Sequence, residues 1–348
     1  MKQGATRTAS YLTVYDEMAP LPHQRMSATQ RMHVNFVLGM ACSARDDYVA
    51  AHRWLSEAAE QALAMHDLAA LAMLTLLRAN VSNGSMAFTR ASEEFQLCLA
   101  LVRQMDEEAG TREHVTFEVD LLGRGAFCEY FLGHFGTAQE MVAEGAKLAR
   151  VSPSSELEVA TLNWLQGHLH RASGDLSAAL VLAMAAADAY TTHGNPASTV
   201  RCLYLVSEIA LDLAESFPGG VASTAGSSFV ALAGPYASRA LALSRSLNDV
   251  SGEGLILLTQ GRYDRMSGHI ATMLPTAESV DALGHQLGDG ALRAQAYEAL
   301  AHEMALKGRT DSALDLYRRT VSIAEKAAIP FLALQARRAL LRASEMRP

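Results

Sequence analysis

The sequence is poor in the residues that build β-structure and membrane spans. Only 6% of its 348 residues are aromatic and nine are proline, and segments in which Val, Ile or Thr alternate with polar residues are nearly absent. No uninterrupted apolar run approaches the roughly 18 residues that a membrane-spanning helix requires. The residues are nevertheless 50% hydrophobic, and the dominance of alanine and leucine favours helices. We therefore expect an all-α protein with a substantial core.

Basic residues are also in short supply. The formal net charge is −8 at pH 7, so the chain lacks the positive charge of a general nucleic-acid binder, and we expect neither nucleic acid nor a membrane as a partner. The N-terminal segment lacks the continuous apolar stretch of a signal peptide, which predicts a cytoplasmic location. Four cysteines lie far apart within apolar segments, and this pattern predicts buried free thiols. They are Cys42, Cys98, Cys128 and Cys202.

Motifs for catalysis, nucleotide binding and metal binding are missing as well. There is no GxSxG elbow, no Walker motif and no HExxH motif, and the segments GRGAF and GEGLI lack the third glycine of a phosphate-binding loop. Adjacent acids such as Glu93 and Glu94 diverge on a helix, which predicts surface positions rather than acid–base catalysis. We expect no catalytic residue, no metal site and no cofactor. Only an irregular site assembled from several helices would escape a motif search.

What the sequence does contain is a repeated pair of amphipathic segments. A small residue recurs in the first segment, at Gly39, Ala79, Ala126, Gly167, Gly261 and Ala301. Twelve residues later come Ala51, Ala91, Ala138, Ala179, Met273 and Ala313, and four residues after those come Leu55, Phe95, Val142, Ala183, Ala277 and Tyr317. Antiparallel helices approach closely where their facing side chains are small. The pattern therefore predicts helical hairpins.

Glycines mark the turns between the two helices of these hairpins. Turn glycines follow the first small residue by seven positions, where a helix must end; they are Gly133, Gly174, Gly268 and Gly308. The pairs are predicted at 29–65, 67–106, 112–151, 154–191, from Asn195 onward, 250–287 and 289–328. We expect an N-terminal extension over 1–28, a helical-repeat domain over 29–329 and a capping helix over 330–348. A Gly/Ser-rich stretch at about 216–235 is predicted to be a flexible insertion before the segment YASRALALSRSL.

The repeated hairpins resemble the tetratricopeptide repeat (TPR). That family has a small residue early in its first helix, glycine at the turn and alanine early in its second helix, and Gly167, Gly174, Ala179 and Ala186 occupy such positions. The repeats here are about 40 residues long instead of the family's roughly 34. Repeats of this length are similar to the sensor arrays of bacterial signal-responsive regulators. The resemblance implies a right-handed α-α superhelix, a TPR-like solenoid of about seven helical hairpins, closed by a C-terminal capping helix.

In a TPR-like superhelix the first helices line the concave surface, so positions −3, +1 and +4 from the small residue share one groove. These positions and nearby arginines give the candidate ligand-binding residues Asn80, Arg124, Phe127, Tyr130, Trp164, His168, Arg171, Arg201, Tyr204, Glu208, Arg262, Arg265, Glu298 and His302. Arginine forks bind carboxylates, and aromatic rings supply rigid contact area, which favours a peptide with an acidic side chain or a free carboxylate. Alternatively these residues satisfy one another, for example Arg262 with Glu298.

The neighbouring histidines His168 and His170 require separate treatment. Residues two apart on a helix point in nearly opposite directions, so the pair cannot chelate one metal ion. We expect His168 to face the groove and His170 to point elsewhere.

Two functions fit this sequence. The first is a non-enzymatic solenoid that binds a protein or peptide ligand in its groove. The second is a sensor or regulatory module of a bacterial signalling or transcriptional regulator, which binds a small-molecule effector or a signal peptide. An attached output domain would favour the second, and no DNA-binding helix-turn-helix is recognisable in this sequence. An enzyme with a groove active site is the least favoured reading.

Overall fold

The computed structural model describes residues 18–19, 26–45, 47–151, 156–269 and 273–345. These residues form fifteen α-helices and no β-strand, which confirms the prediction of an all-α protein. The helices are α1 Ala28–Ser43, α2 Tyr48–Ala64, α3 Leu68–Gly84, α4 Phe88–Ala109, α5 Val115–Phe131, α6 Phe135–Val151, α7 Glu156–Ser173, α8 Leu176–Thr192, α9 Pro196–Ser216, α10 Thr224–Leu247, α11 Val250–Met266, α12 Met273–Leu287, α13 Gly290–Leu306, α14 Thr310–Lys326 and α15 Pro330–Glu345. None of these described helices is long and apolar enough to cross a membrane.

The chain divides into two compact units. The first comprises the described residues of Met1–Glu129 and Gly136–Ser154, and the second those of Tyr130–Phe135 and Ser155–Pro348. In the first unit α1 packs on α2, α2 on α3 and α3 on α4. In the second unit each helix from α7 to α15 packs on the next one along the chain. The N-terminal extension expected over 1–28 lies almost entirely outside the described residues.

Helix starts and turns follow local rules. Ser27 forms a capping box with Gln30 at the start of α1, and Asn195 caps α9 with Pro196 at the first helical turn. The predicted turn glycines adopt the left-handed conformation, for example Gly174 with φ of 88°. Only glycine adopts this conformation without steric strain, so these positions fix where the first helices end.

Small residues bring paired helices together as predicted. A Cβ atom on Gly39 would lie 2.6 Å from Leu55 Cγ and 3.3 Å from the Ala51 carbonyl oxygen. Gly167 faces the backbone of Ala179, whose carbonyl oxygen would lie 3.4 Å from an added Cβ. The apolar core of each unit lies between its packed helices, and the four cysteines are buried free thiols within it.

The predicted flexible insertion at about 216–235 is wrong over most of its length. Helix α10 begins at Thr224, capped by Ser223, and continues through Pro235. Its glycines allow close contacts that a larger residue would block: a Cβ on Gly226 would lie 2.1 Å from the Gly220 carbonyl oxygen, and one on Gly234 would lie 2.6 Å from the Tyr263 ring. The small residues of this stretch therefore allow the helix to pack closely on its neighbours, and they do not make the segment a flexible loop.

Candidate functional site

The first helices of the second unit form an inner layer, made of α7, α9, α11, α13 and α15. Each of these helices packs on the next member of the layer. Helices α8, α10, α12 and α14 pack against them from the other side of the apolar core. The inner layer therefore presents its remaining face, with partly accessible polar and aromatic side chains, as one continuous surface.

Arg171 on α7 anchors a polar network on this surface. Its Nη2 donates to Glu208 Oε2 at 2.8 Å, and its Nε donates to Asp212 Oδ2 at 2.6 Å, so one guanidinium holds two carboxylates of α9. Burial disfavours ionisation of Asp212, but Arg171 and Arg262 outweigh it and hold the pKa of that carboxyl below its usual range. Thr259 donates to the other oxygen of Glu208 at 2.7 Å.

Two arginines of α11 complete the network. Arg262 lies 3.3 Å from Glu208, 2.8 Å from Asp212 and 2.8 Å from Glu215. Arg265 contacts Glu215 at 3.0 Å and reaches Glu303 of α13 at 3.6 Å. These guanidinium groups are thus neutralised within the protein. The sequence-based pairing of Arg262 with Glu298 is wrong, since Arg262 pairs with three carboxylates of α9 instead.

An aromatic group lies beside the network. His168 contacts Trp164 edge to face with centroids 4.7 Å apart and Tyr130 at 5.3 Å. Burial, with Arg171 nearby, lowers the pKa of His168 to about 3, so this imidazole is neutral at pH 7. Tyr130 also contacts Phe331 of α15 at 4.7 Å. Burial raises the pKa of the Tyr130 hydroxyl, which therefore stays protonated.

Glu298 and Tyr204 lie on the same inner layer. Burial raises the pKa of Glu298 to about 7, and Glu208 adds to this, while Arg171 and a hydrogen bond with Gln335 act in the opposite direction. Burial likewise raises the pKa of Tyr204. His302, one turn after Glu298, lies 4.0 Å from Glu215.

Three of the remaining candidates belong to the first unit, and one lies apart from the network on α9. Asn80, Arg124 and Phe127 belong to the first unit, where Arg124 donates to Asp120 at 2.7 Å and to the Asn80 side chain at 3.1 Å. Phe127 packs edge to face on Phe88 at 6.1 Å. Arg201 lies near the start of α9 but is exposed and takes no part in the described network.

The carboxylates of the network were only partly predicted. Glu208, Asp212 and Glu215 follow one another at spacings of four and three residues, which places them on one face of α9. That stripe is visible in the sequence, but only Glu208 occupies a position expected from the repeat pattern. Glu303 is 3% exposed and bonds Lys307 at 3.0 Å, and no sequence signal separates it from an ordinary surface acid.

The other histidine, cysteine and acidic residues singled out in the sequence each have defined local surroundings. His170 points away from His168 and lies 3.4 Å from Asp175 at the following turn, and no cluster of three metal-ligating side chains occurs among the described residues. Burial raises the thiol pKa to about 11 at Cys98 and about 12 at Cys128 and Cys202, which keeps these thiols protonated at neutral pH. Glu94, expected at the surface, is 4% exposed and bonds Arg78 and Ser82.

Comparison with known proteins places this fold. No protein-family model matches the chain, and no curated protein does. The apo form of the quorum sensor NprR from B. thuringiensis is 12% identical with a TM-score of 0.63, covering 92% of this chain and 84% of that one. The apo form of RapI is 12% identical with a TM-score of 0.61, covering 89% and 99%. A Rap protein complexed with competence and sporulation factor is 14% identical with a TM-score of 0.57, covering 92% and 77%.

At such identities the likeness shows the fold alone. The similar structures include a signal-transduction ATPase from Pyrococcus horikoshii with a tetratricopeptide repeat sensor, of which this chain spans 43%, at 12% identity and a TM-score of 0.52. The predicted resemblance is therefore confirmed at the level of architecture: the chain is a TPR-like helical-repeat protein with the fold of these structures.

Proposed function

We propose that the chain is a non-enzymatic, peptide- or protein-binding module whose ligand lies on the inner layer of the second unit. The observation that carries this proposal is the composition of that surface. Successive first helices present partly accessible aromatic and charged side chains there, while the space between the helix layers is filled by apolar residues. Aromatic anchors beside satisfied polar groups are typical of binding surfaces.

The similar structures support a peptide as the ligand. One Rap protein is complexed with competence and sporulation factor, and the Rap conjugation gene regulator of plasmid pLS20 is in complex with the Phr* peptide. Those ligands belong to those proteins. Because the fold is shared, we extend the class of ligand, a short peptide, to this chain, and with it a sensor or regulatory role in the cytoplasm.

The charge of the ligand needs a separate argument. An acidic side chain or a free carboxylate was expected to bind the arginines of the groove. Arg171 and Arg262 already bind carboxylates of α9, so an acidic ligand would have to displace one of them. Leaving a buried carboxylate without its partner is costly, and we do not extend the proposal to an acidic group at these arginines.

Affinity selection of the full chain against a random heptapeptide library tests the proposal. We expect the wild-type protein to retain peptides, and Tyr204→Ala and Trp164→Ala to retain far fewer because both rings are partly accessible on the inner layer. Val181→Ala is the matched control, since Val181 is 68% exposed on α8. Retention no higher than that of an unrelated protein, or equal retention by all variants, would contradict the proposal. A bound small molecule found by native mass spectrometry would instead favour a small-molecule sensor.

A further inference from the structure

Glu298 differs from the carboxylates of the polar network in lacking a nearby cation. Glu208, Asp212 and Glu215 each lie within 3.3 Å of at least one guanidinium nitrogen. Glu303 has Lys307 at 3.0 Å. In the part of the chain that the structure describes, no Arg, Lys or His side chain lies within the 4.0 Å ion-pair distance of Glu298.

The groups that face Glu298 come from four other helices. Arg171 of α7 and the pair Tyr204 and Glu208 of α9 interact with it through space. Gln335 of α15 hydrogen-bonds it, while Arg342 of α15 and Tyr317 of α14 interact with it at longer range. Arg171 is already engaged by two carboxylates, and Arg342 is exposed.

A cationic ligand group would complete this arrangement. An enclosed carboxyl binds a guanidinium or ammonium group strongly because little water competes for it. An aromatic ring such as that of Tyr204, which interacts with Glu298, adds cation–π attraction to such a group. Arg171 and Arg262 of the same layer already bind carboxylates, so they do not offer a free guanidinium to an anion.

We infer that Glu298 is a subsite for a positively charged group of the ligand, an Arg or Lys side chain or a peptide N-terminus. The inference rests on the proposed function for its biological meaning, and it specifies the charge of the peptide that this surface selects. Ion pairing requires the carboxylate form, and burial keeps part of the Glu298 population protonated at pH 7. The preference for a cation should therefore strengthen as the pH rises through neutrality.

The test compares two small probes on the full chain by saturation-transfer NMR. N-acetylarginine amide carries one guanidinium, and N-acetylcitrulline amide is its neutral counterpart of nearly equal shape. We expect the wild-type protein at pH 8 to prefer the arginine probe by roughly 10-fold, the size of one charge-assisted hydrogen bond, and to lose part of this preference at pH 6. Glu298→Gln should bind both probes alike at either pH.

Glu278→Gln is the matched control, because Glu278 is exposed on α12 of the same unit, and it should keep the preference. Glu298→Met removes the carboxyl while retaining its volume, so it provides the same comparison if the glutamine variant does not fold.

Equal binding of both probes by the wild-type protein, or an unchanged preference in the Glu298 variants, overturns the inference. In the peptide selection, bound peptides without enrichment in Arg or Lys overturn it while leaving the proposed function standing. A failure to retain any peptide contradicts the proposed function itself, and the probe comparison then tests the cation subsite independently.

Discussion

At the scale of single residues, the second unit holds several titratable side chains whose pKa values differ from those in water. His168 lies between two aromatic rings and its pKa is lowered by burial, while two arginines hold the pKa of the Asp212 carboxyl below its usual range. These pKa shifts exist only in the folded protein. Stability is therefore linked to pH through identifiable residues.

His168 should make the protein sensitive to acid. Its pKa is lowered from 6.5 to about 3 by burial, so the folded state binds fewer protons than the unfolded state between these values. This stabilisation is complete above pH 6.5 and is lost as the pH falls toward 3. We expect His168→Phe to reduce the loss of unfolding free energy on acidification to pH 4 by on the order of 2 kcal/mol, measured by urea denaturation at several pH values.

His170→Phe is the control for this experiment. His170 lies at the end of the same helix and is 39% exposed, so this variant should keep the acid sensitivity of the wild-type protein. If both variants lose stability on acidification as the wild-type protein does, the assignment to His168 is wrong.

Arg262 should matter more for stability than an arginine on the surface. Its side chain is 16% exposed and neutralises carboxylates at three positions of α9. Arg262→Met leaves those carboxylates with fewer partners and should lower the unfolding free energy by about 2–4 kcal/mol. Arg318→Met removes an ion pair with Asp315 in which the arginine side chain is 60% exposed. It should lower the unfolding free energy by less than about 1 kcal/mol. Equal effects of the two changes would contradict the picture of a buried network.

At the scale of helices, close approach is governed by small residues whose neighbours differ in their freedom to move. Gly39 faces the side chain of Leu55, which is completely buried, whereas Gly167 faces backbone atoms at ordinary contact distance. The two glycines occupy equivalent repeat positions. The change in unfolding free energy caused by an added methyl group should nevertheless have opposite signs at the two positions.

The same substitution should therefore have opposite effects in the two hairpins. Gly39→Ala forces a methyl group against Leu55 and should lower the unfolding free energy by about 1–2 kcal/mol. Gly167→Ala places its Cβ 3.4 Å from the nearest atom, and should raise it by about 0.5–1 kcal/mol because alanine restricts the unfolded chain and favours helix. Thermal unfolding of both variants gives the comparison, and effects of the same sign would show that the helix spacing is described incorrectly.

At the scale of the whole second unit, an aromatic contact joins residues that are about 200 positions apart. Phe331 at the start of α15 lies 4.7 Å from Tyr130, and its ring is also 6.1 Å from Phe131 and from Phe135. The last helix thus returns to the segment with which this unit begins. Nothing in the repeat pattern encodes such a contact.

Removing this contact should destabilise α15 and residues 130–135 together. Phe331→Ala should lower the unfolding free energy by about 2 kcal/mol, less than for a fully buried ring, and should increase hydrogen exchange in residues 130–135 as well as in α15. Leu341→Ala changes a 64% exposed side chain of the same helix and serves as the control. Faster exchange confined to α15 would show that the ring contact does not couple the two segments.

By itself the sequence determined the local structure: seven helical pairs, the left-handed turn glycines, and the small residues between paired helices. These features depend on interactions between residues a few positions apart or one hairpin apart, so periodicity and turn chemistry predict them. Only the tertiary structure decided that Arg262 pairs with α9, that Glu298 lacks a cation, and that the glycine-rich stretch after Thr224 is helical. Those outcomes depend on which side chains of distant helices meet, and a charge finds its partner by position in space rather than by spacing along the chain.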